Sequence, residues 1–149
     1  MSEPTAKWDI EWILSVLPHR YPILLVDRVL EMEARKRIVA LKCVTINEPY
    51  FLGHFPGRPV VPGVLLIEGM AQAGGLLLFT EVPDREKKLM YFAAIDEVRF
   101  RRPVVPGDQI RYELEVLKLR SAYCKLAGKA LVDGEVAAEA VLTSVMVDR

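Results

Sequence analysis

The sequence predicts an α+β fold in which a curved antiparallel β-sheet wraps around one long central helix. The helix is predicted over residues 63–80, where apolar residues lie on nearly every face, as in a helix that is buried on most sides. The sheet is predicted from a succession of strand-like segments, most of which follow this helix. Because a single apolar helix needs cover around most of its circumference, a sheet that curves around it is the simplest arrangement.

The segment before the central helix is predicted to hold a short helix, two strands and a loop. Apolar residues at helical spacing predict the short helix over residues 8–16, and Pro18 ends it because a residue before proline is pushed out of the helical region. An apolar run predicts a strand over residues 23–29, and alternating apolar residues predict another over 37–45. Four prolines and two glycines predict that residues 48–62 form an ordered loop without a regular element.

Beyond its first residue, Gly63, the central helix contains three glycines, Gly69, Gly74 and Gly75. Each weakens a helix by up to about 1 kcal/mol relative to alanine. Such residues are tolerated where another backbone must approach closely. We therefore expect a close contact along this helix, followed by a polar loop over residues 82–88.

The second half of the chain predicts an antiparallel meander. Its four strands are predicted over residues 90–100, 109–119, 123–132 and 135–147. Asp133 and Gly134 form a two-residue hairpin signal, since both positions of such a turn favour positive φ. Pro103, Pro106 and Gly107 predict a turn between the first two of these strands.

Length and charge limit the classes of function. The 149 residues are predicted to form one domain, residues 1–149. The 20 basic residues balance the 20 acidic ones, so no global field favours nucleic acid or an anionic membrane. The first residues lack the basic and apolar regions of a secretory signal, and residues 63–79 fall short of the roughly 20 residues of a spanning helix. We expect a soluble, cytoplasmic protein with neither nucleic acid nor membrane as a partner.

The cysteines and histidines do not predict a metal site. Cys43 and Cys124 lie far apart in strand-like segments, which favours buried free thiols over a disulfide. The histidines, His19 and His54, belong to no tight cluster of ligands. His19 lies between two prolines, and a role in fixing the entry of the chain is the favoured interpretation; the alternative is a third site residue.

His54 is a candidate base because it lies in Gly53-His54-Phe55-Pro56-Gly57, a segment stiffened by its proline. A positioned acid or base needs restricted freedom of this kind. The alternative is a histidine whose nitrogens are satisfied by backbone partners at a turn.

The start of the central helix supplies three further candidates. The Gly63 N–H is open to a ligand at the helix N-terminus, where developing negative charge is favoured. Glu68 is the only acid in the apolar helix, and Gln72 lies one turn further on, where its amide can orient the carboxyl group. The alternative is a partly exposed helix end with Glu68 in water. With His54, these residues supply a base, an acid and an oxyanion donor, which suits proton removal next to a carbonyl and loss of a β-substituent.

Three segments carry recognisable motifs: LPHRYPILLVDRV (17–29), GHFPGRPVVPGVLLIEGMAQ (53–72) and FRRPVVPGDQI (100–110). In order and spacing, from about residue 8 onward, they resemble the 3-hydroxyacyl-acyl-carrier-protein dehydratase family known as FabZ. The resemblance implies a hot-dog fold, which is a long helix wrapped by an antiparallel sheet. It also implies a homodimer with a continuous sheet, often assembled as three dimers into a hexamer.

The resemblance further implies the reaction and its residues. The substrate would be a (3R)-3-hydroxyacyl thioester on the phosphopantetheine arm of acyl carrier protein, and the product the trans-2-enoyl thioester, with no cofactor. His54 would take the C2 proton, and Glu68 of the other subunit would protonate the departing hydroxyl. The Gly63 N–H would bind the thioester oxygen, and the acyl chain would lie in an apolar tunnel between subunits. The sister dehydratase that also isomerises the double bond has aspartate in place of Glu68, which favours the non-isomerising type.

The carrier protein is acidic, and three nearby basic side chains are candidates to contact it: Arg99, Arg101 and Arg102. Two other functions stay open at this point. A hot-dog acyl thioesterase also places a carboxylate on the central helix but does not need the histidine loop. A non-catalytic acyl-binding module would merely tolerate Glu68.

Overall fold

The computed structural model describes residues 7–149. Two α-helices and six strands are found there: α1 (Ile10–Val16), β1 (Arg28–Glu33), β2 (Arg37–Cys43), α2 (Gly63–Phe79), β3 (Lys88–Phe100), β4 (Gln109–Arg120), β5 (Tyr123–Val132) and β6 (Glu135–Asp148). The strands form one antiparallel sheet in the order β1-β2-β4-β5-β6-β3. No helix of the described part is long and apolar enough to span a membrane.

The sheet curves around α2, and their contact forms the core. Met70, Ala73 and Leu76 of the helix are fully buried, and side chains such as Leu114 and Leu126 of the sheet pack around them. The helix contacts β2, β4, β5 and β6. This arrangement confirms the predicted α+β class and is the hot-dog fold.

The N-terminal helix and both loops differ in detail from the prediction. Helix α1 begins at Ile10 because the Asp9 carboxylate accepts a hydrogen bond from the Trp12 N–H (3.0 Å) and so caps the helix. The predicted loops contain 3₁₀ turns at Pro49–Leu52 and Arg85–Lys87. A proline fits the first position of such a turn because its missing N–H has no role there.

The prediction of a first strand over residues 23–29 is wrong, since β1 begins at Arg28. The apolar run before it is a loop in which Leu25 and Val26 are buried while Ile23 is exposed. Both backbone polar groups of Leu25 bind side chains instead of a neighbouring strand: its N–H donates to Gln72 and its carbonyl accepts from Tyr112. A periodicity argument cannot distinguish such a core loop from a buried strand.

The predicted meander is also wrong in one respect. β4, β5 and β6 are joined as hairpins, and Asp133 and Gly134 have the predicted positive φ values of 51° and 78°. β3, however, pairs with β6 at the edge of the sheet, and β4 pairs with β2. The connection between β3 and β4 contains two prolines, Pro103 and Pro106, and it crosses the sheet because β4 lies three strands away.

Glycines allow α2 to lie against the sheet. A Cβ atom at Gly69 would overlap the Tyr112 hydroxyl, and one at Gly74 would overlap Leu126. The expected close contact is therefore present, but it is made by side chains and not by a second backbone. The helix is less completely covered than predicted, because Val64 is 72% exposed and Glu68 and Ala71 are only partly buried.

Candidate active site

Backbone hydrogen bonds fix the loop that carries His54. The His54 N–H donates to the Tyr50 carbonyl (3.0 Å), and the Val60 N–H donates to the His54 carbonyl (3.0 Å). Within the loop, Phe55 and Arg58 exchange two backbone hydrogen bonds of 3.1 and 2.8 Å. The proline-rich segment is thus closed on itself, and the imidazole projects from a fixed backbone.

One contact determines which nitrogen of His54 is available. Nδ1 lies 2.7 Å from the Val60 carbonyl oxygen. A carbonyl only accepts hydrogen bonds, so Nδ1 carries the hydrogen, and in the neutral ring Nε2 keeps its lone pair. The ring stacks on Phe55 with centroids 3.9 Å apart, which restricts its rotation. His54 is thereby oriented with the Nε2 lone pair available to accept a proton.

His54 opens into a groove that also contains the start of α2. Gly63, Val64 and Phe100 line this groove, which has a volume of about 570 Å³. The Gly63 N–H has no hydrogen-bond acceptor within residues 7–149. A Cβ at Gly63 would lie 2.8 Å from the Phe100 ring, so only glycine fits there without displacing the ring. A free N–H at the N-terminus of a 17-residue helix is a suitable donor to an oxyanion.

Glu68 lies in a second groove with His19 and Gln72. Its Oε1 accepts a hydrogen bond from Gln72 Nε2 (3.1 Å) and lies 3.6 Å from His19 Nε2. The Glu68 side chain is one-quarter exposed. Its carboxyl group therefore faces the groove, while Gln72 of the same helix binds one of its oxygens. Glu68 is accordingly neither buried in the core nor free in water.

Gln72 is anchored on both sides. Its Oε1 accepts from the Leu25 N–H (2.8 Å), and its Nε2 donates to the Ile23 carbonyl (2.7 Å). Because the Leu25 N–H can only donate, the amide orientation is fixed, and Nε2 is left to donate to Glu68. The helix residue that holds the carboxyl group is therefore itself held by the loop before β1.

His19 lies in the groove of Glu68, whereas the sequence interpretation favoured a role in fixing the entry of the chain over a third site residue. Its Nδ1 is buried and has no hydrogen-bond partner in the described part of the chain. Burial lowers the pKa of His19; the Glu68 carboxylate opposes this and Arg20 reinforces it. Residues 19 and 68 are too far apart in the sequence for any local periodicity to predict that they meet. The LPHR motif is the one sequence signal that could have indicated the contact of His19 with Glu68.

The two grooves share no lining residue. Gly63 and Glu68 are five residues apart, which places them about 140° apart around an α-helix. One chain therefore brings His54 together with Gly63, and Glu68 together with Gln72 and His19, but it does not bring His54 to Glu68.

The predicted basic cluster is largely paired with acids. Arg101 binds Glu139 (2.9 Å) and Arg102 binds Glu135 (3.1 Å), while Arg99 donates to the neighbouring Val98 carbonyl. Arg101 and Arg102 nevertheless line the groove that contains His54.

The expectation of two buried free thiols holds for one of the two cysteines. Cys124 is buried, as expected, but Cys43 is exposed because it lies at the end of β2, and both thiols are free. Among the residues described, no group of three or more histidine, cysteine, aspartate or glutamate side chains is placed to hold a metal ion.

Comparisons with known proteins give concordant results. The family described as FabA-like domain matches residues 17–141. The chain is 52% identical to 3-hydroxyacyl-(acyl carrier protein) dehydratase FabZ of Koribacter versatilis over 149 residues, covering 100% of this chain and 96% of that protein.

Solved structures share the fold at low identity. A chain of the dehydratase heterocomplex ApeI:P from Xenorhabdus doucetiae superposes with a TM-score of 0.80 at 19% identity, covering 92% of this chain and 91% of that one. A hypothetical thioesterase with coenzyme A from Streptococcus pneumoniae gives a TM-score of 0.60 at 12% identity, covering 82% and 86%.

Proposed function

The chain belongs to the FabZ family of 3-hydroxyacyl-(acyl carrier protein) dehydratases, and we propose that it carries out this reaction with His54 and Glu68 as base and acid. Family membership makes it a hydro-lyase of fatty acid biosynthesis. The proposal assigns the (3R)-3-hydroxyacyl thioester as substrate and the trans-2-enoyl thioester as product.

Proton removal at C2 is assigned to His54 Nε2. This assignment rests on the hydrogen bond of Nδ1 to the Val60 carbonyl, which leaves Nε2 as the basic nitrogen. The groove that contains His54 is also lined by Gly63, whose N–H is available to the substrate. The C2–H electrons form the C2–C3 double bond as the C3–O bond breaks. The C2 proton passes to Nε2, and the charge that develops on the thioester oxygen is stabilised by the Gly63 N–H.

Protonation of the departing hydroxyl is assigned to Glu68. Its Oε1 is engaged by Gln72, which orients the carboxyl group in its groove. Transfer of the carboxyl proton to the C3 oxygen releases water and leaves the enoyl thioester. The step breaks one C–H and one C–O bond and forms one double bond, so no electron acceptor is needed and no cofactor is assigned.

The complete site is proposed to form between two copies of the chain. His54 and Glu68 open into separate grooves, so another surface must bring a base to each acid. β3 is an edge strand of 13 residues with exposed Tyr91, Phe92 and Ile95, and an apolar edge strand is a template for pairing with another chain. A homodimer through β3 accounts for these features.

The acyl chain is proposed to follow the groove of Glu68 into a neighbouring apolar cavity. Met90 and Ser144 line both the groove and the cavity. The cavity is also lined by Leu78 and Met146, near the C-terminal end of α2. The phosphopantetheine arm of acyl carrier protein would then enter from the side of His54, where Arg101 and Arg102 lie.

A product assay tests the function. With a 3-hydroxyacyl thioester on acyl carrier protein, we expect the enoyl absorbance to appear without release of free thiol. A thioesterase is the second candidate, because one solved thioesterase shares the fold. Release of free thiol without enoyl product would establish the thioesterase, and binding without either product would establish an acyl-binding module.

A further inference from the structure

Tyr112 of β4 lies beneath the candidate acid and is assigned no role in the reaction above. Its side chain is 1% exposed, and its hydroxyl rests where a Cβ of Gly69 would otherwise be. Gly69 directly follows Glu68 in α2. The phenol therefore reaches the helix beside the residue that carries the carboxyl group, without touching the groove.

The hydroxyl belongs to a continuous chain of hydrogen bonds. Tyr112 Oη donates to the Leu25 carbonyl (3.1 Å), and the Leu25 N–H donates to Gln72 Oε1 (2.8 Å). Gln72 Nε2 in turn donates to Glu68 Oε1 (3.1 Å). Tyr112, Leu25 and Gln72 are each no more than 2% exposed, so water does not compete for these contacts.

We propose that the Tyr112 hydroxyl is a positioning group for Glu68, acting through Leu25 and Gln72. The inference rests on the proposed role of Glu68 as the acid. Leu25 lies in the loop before β1 and has no strand partner. Its backbone is therefore held by two side chains, Gln72 at the N–H and Tyr112 at the carbonyl. Loss of the hydroxyl leaves the Leu25 carbonyl without its donor, so the neighbouring Leu25 N–H is less firmly placed and the Gln72 amide keeps only the Ile23 carbonyl as a fixed partner.

The hydroxyl is suited to this role because it stays a donor. Burial, more than the nearby Tyr50, Asp27, Glu48 and Glu68, raises the pKa of Tyr112 well above its usual range. The O–H therefore stays protonated, and stays a donor, at neutral pH. A buried carbonyl that loses its donor has no water to replace it.

The test is Tyr112→Phe, which keeps the ring and removes the hydroxyl. We expect kcat to fall roughly tenfold with KM within about twofold, since misplacement of a catalytic group affects the chemical step. If the phenylalanine variant is insoluble, Tyr112→Met, a smaller and flexible apolar replacement that also lacks the hydroxyl, is measured in its place. A folded variant with unchanged kcat would overturn the proposal.

A matched control separates positioning from general destabilisation. Leu114 lies on the same face of β4, is equally buried, and packs near Gly74 of α2. Leu114→Val should lower the melting temperature and keep kcat. If this variant loses as much kcat as Tyr112→Phe at a similar loss of stability, the effect of Tyr112 is structural only.

A double-mutant cycle tests the route. In a Gln72→Met background, which removes the connecting amide, adding Tyr112→Phe should change kcat by less than about twofold. A full tenfold loss in that background contradicts the route through Gln72. Glu68→Gln distinguishes this proposal from the proposed function: near-normal turnover in that variant refutes both, whereas an inactive Glu68→Gln with an unaffected Tyr112→Phe refutes only the positioning role.

Discussion

At His54 and at Glu68, one hydrogen bond from a neighbouring residue fixes the orientation of the side chain. The Val60 carbonyl selects the tautomer of the imidazole, and the Gln72 amide holds one oxygen of the carboxyl group. Both partners are fixed by their own backbone surroundings. Reactivity at this scale depends on neighbours that do not themselves react.

We expect His54→Ala and Glu68→Gln each to lower turnover by about 10²–10⁴-fold, the usual contribution of a general acid or base. Steady-state kinetics and thermal melting of the purified variants check this. Neither side chain belongs to the core, so both variants should stay folded. Near-normal rates in either folded variant would remove that residue from the mechanism.

His19 makes the stability of the fold depend on pH. Because burial lowers its pKa in the folded state, the unfolded chain binds the proton more tightly, so stability is lost as pH falls below the usual histidine pKa of about 6.5. We expect His19→Gln to show a smaller drop in melting temperature between pH 7.5 and pH 5.5 than the parent. Parallel melting curves for the two proteins would contradict this expectation.

At the scale of elements, the packing of α2 depends on glycines that differ in their surroundings. Gly69 meets the Tyr112 hydroxyl, whereas a Cβ at Gly75 would lie 3.4 Å from Leu17, an ordinary contact. The same substitution should therefore have opposite consequences at two positions of one helix.

We expect Gly69→Ala to lower the free energy of unfolding by about 1–3 kcal/mol, because Tyr112 must move out of a packed core. Gly75→Ala is the control and should be neutral or stabilise by up to about 1 kcal/mol through helix propensity. Denaturant unfolding measures both. Equal destabilisation would mean that the contact with Tyr112 does not set the cost.

Elements with a clear hydrophobic periodicity were predictable from the sequence. Segments whose conformation depends on hydrogen-bond partners far away in the sequence were not. The bounds of α2 and of β4 to β6 follow from periodicity and the Asp133-Gly134 turn within a residue or two. The loop at Leu25 was mistaken for a strand because its partners, Gln72 and Tyr112, lie far away in sequence. For the same reason the sequence did not reveal that His19 meets Glu68.

At the scale of the whole molecule, the division of the site between two grooves has a direct genetic test. In the proposed dimer, co-expression of His54→Ala with Glu68→Ala chains, each expected to be inactive alone, would give mixed dimers in which one site receives both lesions and the other receives neither. With random pairing, activity should return to about a quarter of the parental level. If mixed dimers are confirmed by mass and no activity returns, both residues act within one subunit.

The position of β3 at the sheet edge also bears on how the chain folds during synthesis. β3 pairs with β6, and Lys88 lies opposite Asp148, sixty residues later. On a ribosome that adds roughly 5–20 residues per second, β3 emerges seconds before β6, the one strand with which it pairs within residues 7–149. During that interval the backbone N–H and carbonyl groups on both edges of β3 lack a partner strand. Nascent chains that end before residue 135 therefore expose an unpaired apolar strand on which aggregation can start.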